Sequence, residues 1–125
     1  MNSNLEISIK TKNELISAVE SLKSCNAKDI KIYDLRGYSP FFDFAIIATA
    51  VGERQINALE SHIEKEAKEN DFLIRNIVGR NSEWLLVDLY DVMVNFFTLE
   101  ERTRFDLDKM WASRLVLDEA ILLNK

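Results

Sequence analysis

Apolar residues recur along this chain with two different periods, and each period predicts a different kind of element. Residues 11–14 (Thr-Lys-Asn-Glu) have the form of a capping box, in which the first and last side chains satisfy free backbone N–H groups at the start of a helix. A helical repeat follows at Leu15, Ala18, Val19 and Leu22. The spacing therefore predicts an amphipathic helix from Thr11 to about Cys25.

From Asp29 the apolar period becomes two, which is typical of a strand with two different faces. Ile30, Ile32 and Asp34 alternate there with Lys31, Tyr33 and Leu35. Residues 37–40 (Gly-Tyr-Ser-Pro) predict a turn that returns the chain into residues 41–50. That second segment is nearly all apolar apart from Asp43, so we expect a strand covered on both faces.

The second half of the chain predicts a long helix and three further strands. The helix follows Gly52, and its apolar face consists of Ile56, Leu59, Ile63 and Ala67. Residues 72–78 have the pattern of a weak strand, whereas residues 84–89 and 92–97 form two strong strand patterns. Only Tyr90 and Asp91 separate the two strong patterns, which indicates a tight reversal.

The last part of the chain has the signals of short helices. Residues 98–101 (Thr-Leu-Glu-Glu) form a second capping box, which opens a helix through Arg104. Asp106 is a candidate cap for one more short turn that ends near Trp111, and residues 115–123 are helical in propensity. The predicted order is αββαβββα.

This order predicts an α/β fold, or α+β sandwich, with a mixed sheet of about five strands and helices packed on it. The 125 residues, of which 47% are apolar, suffice for one hydrophobic core. We expect a single domain over residues 1–112 and a C-terminal helical tail over residues 113–125. Because the tail is apolar, it is also a candidate surface for a homodimer.

The composition narrows the class of partner. A formal net charge of -5 opposes the phosphate backbone, so neither general nor sequence-specific binding of nucleic acid is expected. An acidic surface suits a basic protein. No apolar run approaches the ~20 residues of a membrane span, and the start lacks a signal-peptide pattern, so we expect a cytoplasmic protein. Cys25 is the only cysteine and is predicted to fill space near a helix end.

Four aspartates near strand ends are the candidate chemistry, because carboxylates there can hold Mg²⁺ for phosphoryl transfer. They are Asp34, Asp43, Asp88 and Asp91. A separation of three places Asp88 and Asp91 on opposite faces of a strand, and the chain has no glycine-rich phosphate loop. Turn formation is the favoured interpretation, and no cofactor or metal is expected. A metal-dependent nucleotidyl- or phosphoryltransferase using Asp43, Asp88 and Asp91 is the alternative.

Other residue types offer fewer candidates. His62 is the only histidine and lies on a charged helix, so we interpret it as solvated. Large aromatic residues often anchor protein interfaces, and Trp84, Phe105 and Trp111 are candidates for either an interface or the core. Trp84 is the best interface candidate, because it starts a strand directly after polar residues. Arg102 and Arg104 are candidates for hydrogen bonds to a partner or for pairing with nearby carboxylates.

In both halves of the chain the sequence resembles a known family. Residues 84–94 (WLLVDLYDVMV), Glu101-Arg102 and residues 105–111 (FDLDKMW) resemble the C-terminal signature of the Iojap family of ribosomal silencing factors. Residues 34–37 (DLRG), 43–49 (DFAIIAT) and 53–55 (ERQ) resemble its first half. The resemblance covers about residues 12–111, so residues 113–125 are expected to lie beyond the family's core.

The resemblance implies a nucleotidyltransferase-like fold without enzymatic activity. It also implies a factor that docks on ribosomal protein fourteen of the large subunit, prevents the small subunit from joining and so represses translation, with a further role in large-subunit maturation. The partner-binding residues that it implies are Trp84, Asp88, Leu89 and Phe105, to which we add Arg102 as a candidate.

Four positions depart from the family's pattern, which usually has Gly at Tyr90, His at Asn95, Tyr at Phe105 and Glu at Asp108. A tyrosine in a tight turn is strained if the turn needs a positive φ, so Tyr90 predicts an altered turn. Phe105 lacks a hydroxyl group, which removes a possible hydrogen bond with a net value of roughly 0.5 to 1.5 kcal/mol.

Overall fold

A computed structural model describes residues 7–118 of the chain as a mixed sheet with helices on both faces. The helices are α1 (Ile9–Ser24), α2 (Glu53–Glu69), α3 (Leu99–Phe105) and α4 (Leu107–Met110). The strands are β1 (Lys28–Asp34), β2 (Phe44–Ala50), β3 (Asn76–Val78), β4 (Trp84–Asp88), β5 (Val92–Thr98) and β6 (Val116–Leu117). Their order across the sheet is β3-β4-β5-β2-β1-β6, and only the central pair β2–β5 is parallel within the described residues. The predicted mixed α/β fold is confirmed.

The first helix forms as predicted, but its cap is a different residue. The Ser8 hydroxyl oxygen accepts a hydrogen bond from the Thr11 backbone N–H at 3.1 Å, so the helix begins at Ile9. Thr11 was the predicted cap; instead its hydroxyl is buried and donates to the Asp91 carboxylate at 3.2 Å. Cys25 ends the helix and is buried, which confirms its role as a filler.

Two predicted strands are shorter than expected. β2 starts at Phe44, because the Ser39 hydroxyl oxygen accepts hydrogen bonds from two backbone N–H groups just before it and leaves Phe41 76% exposed in a turn. From Phe44 onward every residue of β2 is buried, as predicted. β3 is confined to Asn76–Val78. Before it, Phe72 donates its N–H to the Ala67 carbonyl, so the chain there is still bonded to the C-terminal turn of α2.

The predicted helical tail is wrong for Val116–Leu117, which form β6. This strand pairs antiparallel with β1, with Leu117 opposite Ile32, and buries Leu117 in the main core. The free edge of β1 thus overrides the local helical propensity, and the described sheet has six strands where about five were predicted. Residues 113–115 and 118 are not helical either. The remainder of the tail, and with it most of the candidate dimer surface, falls on residues 119–125, outside the described part.

The two faces of the sheet are covered differently. α1 and α2 pack on one face, and the main core lies between them and the sheet, with Ile56, Leu59 and Ile63 fully buried as the helical period predicted. On the other face, α3 and α4 cover a smaller cluster centred on β1 and β2, which consists of Tyr33, Leu35, Ala45, Ile47, Phe97 and Trp111. Trp111 is therefore a core residue. Across residues 7–118, no helix is long and apolar enough to span a membrane.

Candidate interaction surface

Over β3, β4 and β5 the second face of the sheet is partly exposed. The register places Val78, Leu86 and Asn95 in one row across it, Asn76, Asp88 and Met93 in the next, and Trp84 beside Phe97. We call the accessible part of these rows, with Phe105 at its rim, the open sheet face: Asn76, Val78, Trp84, Leu86, Asp88, Met93 and Phe105. The intervening residues Leu85 and Val87 are fully buried on the helix-covered face. Alternation along β4 therefore separates core from surface.

Trp84 is held in place on this face by three neighbours. Its ring stacks on Phe97 with 4.7 Å between centroids and contacts Phe105 at 4.6 Å. Its indole N–H donates to the Asn95 side-chain oxygen at 3.0 Å. The half-buried ring is thus fixed before any partner arrives, which lowers the entropy lost on binding.

Asn95 explains how the indole is oriented. Its side chain is fully buried in β5, and its amide N–H donates to the Ile46 carbonyl of β2 at 3.4 Å. The amide oxygen is then free to accept from Trp84. Asn95, one of the departures from the family's pattern, therefore has a defined role under the open sheet face.

Asp88 lies at the opposite end of β4 from Trp84, on the same face, and stabilises the turn after β4. Its carboxylate accepts a hydrogen bond from the Tyr90 N–H at 2.9 Å and pairs with the Arg75 guanidinium at 3.0 Å. The Arg75 guanidinium also stacks over the Tyr90 ring, 4.7 Å from its centroid. Tyr90 has φ +80°, so the turn does require the positive φ for which a tyrosine is poorly suited.

The structure corrects two of the predicted partner-binding residues. Leu89 is fully buried in the main core, five positions after Trp84 and so on the opposite face of the strand. Arg102 is only 8% exposed, and its guanidinium bonds to Asp108, Thr49 and the Asp29 carbonyl. Neither side chain is on the surface. Trp84, Asp88 and Phe105 do lie together on the open sheet face.

Leu86, Met93 and Val78 belong to this surface and were missed. A signal for Leu86 was present, because counting in steps of two from Trp84 reaches Leu86 and Asp88 but never Leu89. For Met93 and Val78 the sequence offered no such signal, because their place depends on the register between strands. Val78, 53% exposed, is the most exposed apolar residue of the three.

Three of the four candidate metal-binding aspartates, Asp34, Asp88 and Asp91, have partners of their own. Asp34 pairs with Arg36 at 2.7 Å; burial acts to raise its pKa, but the hydrogen bonds from Arg36 outweigh burial and lower it overall. Asp91 accepts from Lys10 at 3.1 Å. His62 is exposed on α2, as predicted. Within residues 7–118 no three carboxylate, histidine or cysteine side chains come together in a way that would hold a metal ion.

Comparison with known proteins gives a consistent result. A family model described as "Ribosomal silencing factor during starvation" matches residues 8–124, so the expectation that residues 113–125 lie beyond the family's core is wrong for all but the last residue. The ribosomal silencing factor RsfS of Bacillus subtilis (strain 168) is 31% identical over 100 residues, which cover 79% of this chain and 85% of that protein.

Two further comparisons agree with this result. A crystal structure of a protein from Chromobacterium violaceum superposes with a TM-score of 0.76 at 30% identity, covering 85% of this chain and 88% of that one. The mouse protein named mitochondrial assembly of ribosomal large subunit protein 1 is 24% identical over 116 residues. Those residues are 89% of this chain but only 50% of the mouse protein.

Proposed function

Because this chain belongs to the ribosomal silencing factor family, we propose that it represses translation without catalysis, by binding the large ribosomal subunit and obstructing the small subunit. In this proposal it docks on ribosomal protein fourteen, acts in the cytoplasm and also serves large-subunit maturation. The name of the mouse relative, which refers to assembly of the large subunit, supports the choice of subunit.

The observation that carries the proposal is the open sheet face. Trp84 and Phe105 present aromatic rings at one end of it, and Leu86, Met93 and Val78 extend an apolar surface across three strands. Aromatic residues and methionine are enriched in the centres of protein interfaces, and a rigid tryptophan beside a second ring is typical of an energetic hot spot. A flat, mostly apolar surface with few charges suits a folded protein partner better than a small substrate.

Charge supports a ribosomal partner of a particular kind. The net charge of -5 disfavours direct binding to ribosomal RNA but attracts a basic ribosomal protein. The attraction acts mainly on the rate of encounter, so binding should weaken as salt screens it. Once bound, the factor occupies a patch of the large subunit, and we infer that the small subunit is blocked sterically.

Sedimentation of purified ribosomal subunits through a sucrose gradient tests the proposal. We expect the protein to migrate with the large subunit and to reduce the fraction of 70S particles. Leu86→Glu, which places a charge in the centre of the open sheet face, should abolish both effects. Leu73→Glu is a matched control, because Leu73 is 71% exposed in the loop after α2, away from this face.

The opposite result is equally informative. Wild-type protein that stays at the top of the gradient and leaves 70S particles intact would contradict the proposal. Titration calorimetry with Mg²⁺ and ATP would then test the transferase alternative, for which Asp88→Asn is the diagnostic variant. Because Asp88 is engaged by Arg75 and the Tyr90 N–H, we expect no such binding.

A further inference from the structure

The helix that carries Phe105 is attached to the sheet by a buried arginine. All seven residues of α3 are described, and Arg102 is the only buried one. Leu99, the large aliphatic residue of this helix, is 64% exposed. A helix of seven residues is far too short to be stable alone, so its position depends on tertiary contacts. Here the buried contact is polar, and the apolar contact comes from the half-exposed ring of Phe105 at the end of the helix.

Arg102 reaches three elements at once. Its Nε and Nη2 donate to the two oxygens of Asp108 in α4, at 2.9 and 3.1 Å. Its Nη1 donates to the Asp29 carbonyl of β1 at 2.8 Å and to the Thr49 hydroxyl of β2 at 2.8 Å. Such a bidentate pair with additional neutral acceptors fixes both the position and the orientation of the guanidinium plane. We call this set the arginine clasp: Arg102, Asp108, Asp29 and Thr49.

The carboxylate of the clasp is also held on its other side. The Tyr33 hydroxyl donates to Asp108 at 2.6 Å. Burial acts to raise the pKa of Asp108, but the hydrogen bonds from Arg102 and Tyr33 outweigh burial and lower it overall. Asp108 is therefore charged under all ordinary conditions, and the α3–α4 pair is fixed to the β1–β2 side of the sheet.

Phe105 follows Arg102 by about one helical turn, so the two side chains are neighbours on the same face of α3. Its ring is 42% exposed and lies 4.6 Å from the Trp84 ring and 6.4 Å from the Phe97 ring. Apart from Phe105, the only apolar residue of α3 is the exposed Leu99, so we infer that the clasp sets where Phe105 meets Trp84. Loss of the clasp would free Phe105 without disturbing the core between the sheet and helices α1 and α2.

We propose that Arg102 is a positioning residue for partner binding, which holds α3 so that Phe105 supports Trp84 and completes the open sheet face. This inference rests on the proposed function, because the open sheet face is there the docking surface for the large subunit. Of the two sequence-based alternatives for Arg102, it replaces direct contact with a partner and keeps the pairing with a nearby carboxylate, here Asp108.

Arg102→Lys tests the inference, because lysine keeps the charge but cannot form the bidentate, three-element contact. The Trp111→Phe background leaves Trp84 as the single tryptophan, so fluorescence emission reports its environment directly. We expect a red shift of that emission and at least a tenfold weaker affinity for the large subunit. Arg80→Lys, which alters an exposed ion pair with Glu60 of α2, should change neither.

A double-mutant cycle with Phe105→Ala separates positioning from direct contact. If Arg102 acts through Phe105, the double variant should bind no more weakly than the weaker single variant. Additive losses would overturn the inference, and so would unchanged Trp84 emission. Should Arg102→Lys fail to fold, Asp108→Asn breaks the clasp from the other end and is expected to move the same two quantities.

The design also separates this inference from the proposed function. If the wild-type protein does not bind the large subunit, the proposed function is overturned and the inference falls with it. If the wild type binds and the folded Arg102 and Asp108 variants bind equally well, only the inference is overturned.

Discussion

Leu85 and Leu86 are adjacent leucines in β4, but their side chains lie in two different regions of the molecule. Leu85 is fully buried between the sheet and helices α1 and α2, whereas Leu86 is half-buried on the open sheet face. The first region consists of buried apolar residues, most of them aliphatic, from every described strand and both long helices. The second has two short helices, several aromatic rings and an arginine clasp. One strand thus contributes to the core on one side and, in the proposed function, to partner binding on the other.

The largest expected effect is on stability, from Leu85→Ala. Removing a fully buried leucine side chain costs about 2 to 5 kcal/mol of unfolding free energy, because transfer and cavity terms add. Leu86→Ala should cost less, about 1 kcal/mol, because that side chain is partly exposed and its removal leaves no closed cavity. Urea unfolding followed by circular dichroism measures both. Equal destabilisation by the two variants would show that the second face is not open.

The next effect is on binding, from Trp84→Ala. Loss of a preorganised aromatic anchor should weaken affinity for the large subunit by about 2 kcal/mol, or roughly 30-fold. Trp84→Phe keeps a ring but loses the hydrogen bond to Asn95, so its affinity should fall by less. Microscale thermophoresis with purified large subunits measures the affinities of both variants. A sharp fall in melting temperature, with unchanged affinity of the folded fraction, would instead assign Trp84 to the core.

The sequence predicts the helix-covered region much better than the open one. The period of α2 identifies its buried residues directly, since each apolar residue at i, i+3 and i+4 meets the same core. β2 is likewise recognisable, because a continuous apolar run needs cover on both faces. Both patterns depend only on local spacing, which sequence shows without ambiguity.

The open region depends on contacts that spacing does not encode. Arg102 is a polar residue on a short helix, and only its partners in β1, β2 and α4 make it a buried one. Leu117 is in a strand because β1 offers it a free edge, although its neighbours favour a helix. Family resemblance located Trp84 and Phe105, but it assigned Leu89 to the surface where alternation would have chosen Leu86. Register and edge pairing therefore account for most of the errors.

A smaller effect is expected at the turn that joins β4 and β5. Tyr90 has φ +80°, and the Asp91 N–H bonds to the Leu89 carbonyl across it, which is the pattern of a strained γ-turn. Tyr90→Gly should therefore be more stable than Tyr90→Ala by about 1 kcal/mol, because only glycine adopts this conformation without cost. Both variants lose the ring that stacks with Arg75, so that loss cancels between them. Equal stability of the two in thermal unfolding would show that the turn relaxes without strain.

The smallest effect tests a buried charged group of helix α1, on the helix-covered side of the sheet. Glu14 of α1 is 1% exposed; its Oε2 pairs with Lys10 at 2.9 Å, and its Oε1 has no hydrogen-bond partner among residues 7–118. Burial, which is only partly offset by Lys10, raises the pKa of Glu14 above its ordinary value of 4.5. The folded protein therefore holds this proton more tightly than the unfolded chain does.

A raised folded pKa means that the contribution of Glu14 to stability is full at a pH below 4.5 and is lost as pH rises through the folded value. Glu14→Gln removes this loss, so the variant should gain stability relative to the wild type as pH rises from 4.5 through the folded pKa of Glu14. Asp34 and Asp108, whose pKa values are lowered, lose stability in the opposite direction as pH falls, but they are present in both proteins and cancel. Denaturant midpoints across this range give the difference directly, with Glu64→Gln on the exposed side of α2 as the control. A pH-independent difference would mean that water reaches Glu14, and the helix-covered region would then be less closed than its apolar residues indicate.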